Sequence, residues 1–187
     1  EHIGNAVDLL ETIPVHVVYD PGYPHTSKTY RDVLAKIKEK KIRYKKAQGG
    51  MRIRMAKDIE LTLLAPPEQY VHSTRSILNG NSIVMRLVYG AVAVMFTGDA
   101  EEETEKAAVE GQAPGDLRSD ILKVAHHGSK YSSKDAWLDA IKPTVAIIQV
   151  GEGNSYGHPH PDTMARLKAR SIDTYTNIVH GPITVRI

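Results

Sequence analysis

Lys123 to Ser133 reads KVAHHGSKYSS, a run of branched apolar residues that stops at two adjacent histidines and gives way to a loop rich in serine. With Ile121 and Leu122 ahead of it, the apolar run reads as a short buried strand, ILKVA, and the histidines stand where that strand ends. Upstream, AVAVMFTGD over 91–99 has the same form, a strand-like run closed by Asp99. Downstream, TVAIIQVG over 144–151 leads into GNSYGHPHP over 153–161, which carries His158 and His160. Three successive strands therefore end in residues able to bind metal. In α/β sheets ligands collect beyond the carboxyl ends of strands, where loops converge over a rigid scaffold, so the pattern points to one site.

The rest of the chain supplies the layers such a sheet needs. Residues 5–13 predict a short helix capped by Asn5, VHVVY a strand running into the turn DPGYP, and SKTYRDVLAKIKEKK an amphipathic helix with Tyr30, Val33, Leu34 and Ile37 on one face. MRIRM, ELTLLAPP and SIVMRLVYG read as strands, AEEETEKAAVEG as a helix that begins acidic and ends at Gly111, and KDAWLDAI and PDTMARLKAR as helices. PITVRI closes the chain. Alternation of strands and helices makes the fold class α/β, and with no internal repeat or low-complexity linker a single domain over 1–187 is the simplest organisation.

Composition excludes more than it identifies. Apolar residues make up 41% and charged residues 25%, ordinary for a globular chain, and the formal charge of +2 gives no global signal for a polyanionic partner. The absence of cysteine removes disulfides, thiolate-bound zinc and thiol nucleophiles together, so any metal must use histidine, carboxylate and water. No apolar run reaches the ~20 residues that span a bilayer, and no signal peptide is visible. The chain opens at Glu1 without an initiator methionine and reads as a start inside a longer protein.

Imidazoles and a carboxylate suit zinc or another first-row divalent ion, and a carboxylate can bridge two of them. If extended geometry persists through His126 and His127, their side chains point to opposite faces and do not share one ion. One then ligates, while its neighbour holds a second ion, orients a ligand or hydrogen-bonds the backbone. Taken singly, TGD is also a strand-end turn, HHGS a polar loop and GHPHP a proline-stiffened turn; joint occurrence at three strand ends favours chemistry.

At these residues, together with EHIGN, NGNSIVMRL and NSYGHPHPDTMARL, the chain resembles the metallo-β-lactamase superfamily, specifically the domain at the end of ComEC-type DNA-uptake competence proteins. The resemblance implies an αββα sandwich, here without its first strands, making 1–187 an N-terminally incomplete metallo-β-lactamase-like domain. It implies two divalent metal ions, zinc or manganese. Asp99 takes the place of the bridging aspartate, His127 that of the last ligand before the glycine, and His2 that of the surviving histidine of the main ligand motif. His126 is assigned to a second metal or to catalysis, and His158 to metal or scissile phosphate, while His160 reads as structural. Where other members carry a histidine before the TGD strand, this chain has LNGNS, where Asn79 or Asn81 could serve as a weak ligand or hydrogen-bond donor; Asn79 reads first as a turn residue and Asn81 as a candidate substrate contact. Ser129, in the histidine loop, is another.

The expected activity is metal-assisted hydrolysis of a phosphodiester, with DNA as partner. KIKEKKIRYKK over 36–46 carries seven Lys/Arg against one Glu, and its Lys40 and Lys41 are candidate contacts to an anionic polymer. The alternatives are a hydrolase of small esters, lactones or amides on the same scaffold, and a binding module whose metal site has decayed. The resemblance also hints at the outer side of the cytoplasmic membrane.

Overall fold

The computed structural model describes residues 2–72, 75–113 and 115–187, in two compact units, Glu1–Ala47 and Gln48–Ile187. In the first unit, helix α1 (Ala6–Thr12) and helix α2 (Lys28–Glu39) accompany a two-stranded parallel sheet of β1 (Val17–Asp20) and β2 (Arg43–Lys46). Leu10, Val33 and Ile37 form its core, the apolar face that the helical spacing predicts. Ser27 caps α2, its hydroxyl accepting from the Tyr30 amide.

The basic run divides between structural and exposed residues. Lys36 pairs with Glu11 and Glu39, and Lys40 Nζ donates to the Leu10 and Glu11 carbonyls at 2.7 and 3.3 Å, satisfying the end of α1. Lys41 sits at φ 54° in the turn after α2, with its side chain exposed. Arg43, Tyr44, Lys45 and Lys46 are all exposed and make β2, a strand that their polarity hides from a hydropathy pattern.

The second unit is built on a seven-stranded sheet in simple chain order: β3 (Arg52–Ala56), β4 (Ile59–Ala65), β5 (Val84–Tyr89), β6 (Val92–Phe96), β7 (Ile121–Lys123), β8 (Val145–Ile148) and β9 (Asp173–Thr176). Pairing is antiparallel from β3 to β6 and parallel from β6 to β9. Each parallel step is made by a crossover containing a helix: α4 (Glu102–Glu110), α5 (Asp135–Ile141) and α6 (Pro161–Ala169). Trp137, Leu138 and Ile141 of α5 and Leu167 of α6 pack with Met95, Leu122, Ala146 and Ile148 of the strands, all buried. The register aligns Phe96 with Lys123 and Lys123 with Ile147, so the three chains leave the sheet side by side at their carboxyl ends. That alignment positions the site.

Two short helices, α3 (Ile77–Gly80) and α7 (Asn177–His180), and strand β9 are absent from the sequence expectations. PITVRI is not a strand. Its alternation supplies one face, but among the described residues no neighbour supplies the ladder of hydrogen bonds that would make 182–187 part of the sheet.

One buried carboxylate braces the helical layer next to the histidine loop. Glu105 of α4 accepts from the amides of Ser133 and Lys134, at 2.5 and 3.0 Å, at the start of α5. Burial pushes its carboxyl from 4.5 up to about 7, against those two amides and the charges of Arg166 and Lys134, which favour the ionised form. A carboxyl that holds its proton more tightly in the folded chain contributes stability that is complete below 4.5 and lost as the pH rises through about 7. Glu105→Gln removes the titration and leaves one amide without an acceptor. We expect it to cost about 1–3 kcal/mol and to flatten the fall in unfolding free energy across that pH window, read by denaturant titration at several pH values.

Candidate metal centre

Asp99 follows β6 in the turn Thr97–Asp99. Thr97 Oγ1 donates to the Lys123 carbonyl at 2.6 Å, tying the turn to β7, and the Asp99 amide donates to Ser82 Oγ at 3.2 Å. The carboxylate is thereby placed at the sheet's edge beside the end of β7.

The histidine pair does not continue the strand. His126 lies at φ 47°, ψ 47° and His127 at φ 54°, ψ 22°, both in the left-handed region, so the chain coils through Ala125–Gly128. The extended, opposite-facing arrangement expected from the sequence is thus replaced by two rings 6.4 Å apart at 70°. Such backbone is unfavourable outside glycine and persists only where surroundings enforce it. Here the His126 amide donates to the Gly98 carbonyl and the Ser129 amide to the His126 carbonyl, at 3.0 and 2.9 Å.

His127 is fixed in the manner a ligand needs. Its Nδ1 donates to the Gln149 carbonyl at 2.7 Å, which leaves the lone pair on Nε2, and Nε2 faces Asp99 Oδ1 at 3.6 Å. His126 Nε2 lies 3.4 Å from the side-chain amide of Asn79, while its Nδ1 is buried without a hydrogen-bond partner. Ring centroids place His158 5.6 Å from His126, and His158 Nδ1 is likewise buried without a partner.

His158 arrives on a braced loop. Asn154 Oδ1 accepts from the His158 amide at 3.0 Å and its Nδ2 donates to the His158 carbonyl at 2.7 Å. Two residues on, the His160 amide donates to the Gly128 carbonyl at 2.9 Å, docking the loop onto the histidine turn. Gly128 sits at φ +85°, and a Cβ there would stand 2.7 Å from Pro159 Cβ, so the close approach requires glycine. His160 caps α6, its Nδ1 accepting from the Asp162 amide at 3.2 Å. Burial first, then the charges of His126, His127 and His160, holds His158 below the usual histidine range, with Asp99 pulling the other way.

Asp99, His126, His127 and His158 thus meet at one edge of the sheet. Asn81 and Ser129 serve the fold instead. Asn81 is buried and spends its amide on the fold: Oδ1 accepts from the Val71 amide and Nδ2 donates to the Val71 and Ile77 carbonyls. Ser129 is buried, its hydroxyl accepting from the Tyr131 amide and its carbonyl from Thr163 Oγ1. His2 belongs to the first unit, in the turn ahead of α1, and Lys40 and Lys41 belong to that unit too.

Residues outside the expected ligand set also reach the site. Asn79, read as a turn residue, approaches His126. Lys123, half-buried, donates from Nζ to the Val124 carbonyl; burial lowers its ammonium pKa and the Asp99 carboxylate opposes this. A lysine interrupting the apolar run ILKVA was the available signal. Gln149 acts through its backbone, which no residue-type pattern reveals.

The donors fit a divalent ion. Two buried imidazole nitrogens without hydrogen-bond partners, a third imidazole whose tautomer a carbonyl sets, and a carboxylate beside it form a nitrogen and oxygen set suited to a first-row divalent ion.

Comparison with known proteins agrees with this geometry. Residues 1–152 match the metallo-β-lactamase superfamily. The chain is 29% identical over 187 residues to ComE operon protein 3 of Bacillus subtilis (strain 168), covering all of this chain and 23% of that protein. It is 38% identical over 105 residues to competence protein ComA of Neisseria gonorrhoeae, covering 56% of this chain and 15% of that one. The chain therefore spans less than a quarter of either relative's length. A crystal structure from Parabacteroides distasonis ATCC 8503, of a protein provisionally assigned as a metal-dependent hydrolase, aligns with TM-score 0.52 at 12% identity, over 89% of this chain and 78% of that one, a likeness of fold alone. The chain belongs to the metallo-β-lactamase superfamily, as a domain related to the bacterial competence proteins.

Proposed function

We propose that this domain is a metal-dependent phosphodiesterase acting on DNA, on an αββα sandwich that holds two divalent ions, zinc or manganese. The observation that carries the reading is the convergence of Asp99, His126, His127 and His158 at the carboxyl ends of β6 to β8, with the His126 and His158 Nδ1 atoms buried and without hydrogen-bond partners. Asp99, His127 and His126 would hold the metal. When bound, divalent ions supply hydroxide near neutral pH and offset charge on a phosphate.

The chain's own residues do the rest. The Gln149 carbonyl keeps His127 in the ligating tautomer. Asn79 steadies His126 through its ring nitrogen. His158 Nδ1, turned inward on a loop braced by Asn154, is placed to hold or pass a proton at the phosphate. The exposed basic strand β2 supplies positive charge for the polymer, in place of Lys40, which caps α1. By kinship with the competence proteins the domain acts outside the cytoplasm; among the described residues no helix is long and apolar enough to cross a membrane.

A substrate panel tests the reading. The metal-loaded protein is expected to cleave linear DNA and to leave lactones, amides and small carboxylic esters intact. His158→Ala is expected to lower DNA turnover by about 100-fold or more with the unfolding midpoint unchanged. Turnover of small esters without DNA cleavage would assign the site to a different hydrolase, and metal binding with no hydrolysis at all would make it a binding module.

A further inference from the structure

Tyr156 stands at the mouth of this site with most of its ring in water. At 75% exposure it is the most exposed large apolar side chain among the described residues. Burial of an aromatic ring is a leading source of folding energy, and here the fold forgoes it. The ring is nevertheless held in place. Asn154 Oδ1 accepts from the Tyr156 amide at 3.2 Å as well as from the His158 amide, and Asn154 Nδ2 donates to the Gly151 and His158 carbonyls, so the backbone is tied on both sides of the tyrosine. One ring face lies along His158, with centroids 5.9 Å apart and planes 19° from parallel. His158 in turn lies 5.6 Å from His126.

A flat, preorganised π-face beside a phosphate-competent centre is the arrangement that takes up an unstacked base, because every base offers a π-face and stacking needs no sequence. We infer that Tyr156 is a stacking platform for the base next to the scissile phosphate, which makes single-stranded DNA, or a frayed end, the form of substrate this site accepts. The inference rests on the phosphodiesterase reading and adds a specificity determinant to it. A paired base inside a duplex has both faces covered and cannot use the ring without flipping out.

The alternative role for Tyr156 is to cover the outer face of His158, and base-dependent binding separates the two. The experiment measures fluorescence anisotropy of a labelled single-stranded oligodeoxynucleotide, and of the same strand carrying abasic sites, against the intact protein and its Tyr156→Ala and Tyr156→Phe variants. We expect Tyr156→Ala to weaken binding of the base-bearing strand by about tenfold or more, to leave the abasic strand unaffected, and Tyr156→Phe to bind as the unaltered protein does. Equal losses on both strands, or no loss on either, would overturn the inference. Base-dependent binding that is lost in Tyr156→Ala, with no cleavage of any DNA, would uphold the stacking contact and remove the nuclease reading.

Discussion

Asp99→Ala is expected to strip the site of metal and to abolish hydrolysis together. The carboxylate is the only acid in the described cluster at the ends of β6 to β8, and it faces His127 Nε2 at 3.6 Å across the space where an ion would sit. Its removal leaves imidazoles and the Lys123 ammonium, a set carrying no negative charge to offset a divalent cation. Loss of a supporting residue alone costs metal sites about 10–100-fold in affinity, so loss of the carboxylate itself should exceed that. Metal content by elemental analysis after dialysis, read beside cleavage rate, checks the expectation. A variant that retains full metal and full turnover would show that Asp99 is only a turn residue capping the path into α4. Unfolding should move little, because the turn is held by Thr97 Oγ1 and by backbone amides that the substitution leaves in place.

Gly128→Ala should be strongly damaging for so small a substitution. Its φ of +85° is costly for any residue with a Cβ, and that Cβ would stand 2.7 Å from Pro159 Cβ, an atom of a rigid ring that cannot turn aside. Left-handed strain and overpacking are each worth about 1–3 kcal/mol, and both act at this one atom. The loop has no neutral way out: retreat of Pro159 breaks the contact of the His160 amide with the Gly128 carbonyl and carries His158 away from His126. We expect a drop of roughly 2–5 kcal/mol in unfolding free energy, or, where the loop yields instead, near-native stability with His158-dependent turnover lost. Denaturant titration and a rate measurement on one preparation distinguish the two. Native stability with native turnover would mean that the loop does not need its approach to Gly128.

Much of this was legible in the sequence because hydropathy and site chemistry share a period there. AVAVMFTGD, ILKVAHH and TVAIIQVG each place a buried run immediately before polar residues, so recognising the strands also located Asp99, His126 and His127 at their ends. The less legible features arise from backbone geometry and long-range pairing. Strand β2 is four exposed residues, Arg43 to Lys46, made a strand only by its parallel partner. PITVRI has the opposite fault, a strand pattern with no ladder. The coil through His126 and His127 defeats any alternation argument, since adjacent side chains in left-handed backbone no longer point apart. Asn79 and Asn81 show the same limit: two residues apart in LNGNS, one approaches His126 while the other is consumed by the segment around Val71 and Ile77.

The acceptor that sets the His127 tautomer is the carbonyl of Gln149, and every residue type carries that group. Position 149 is consequently free to drift in evolution without disturbing the imidazole it governs, and an alanine survey of the chain would pass over it in silence. What selection must preserve there is the path of β8 past the histidine turn, so this part of the centre's chemistry is inherited as shape and not as an amino acid.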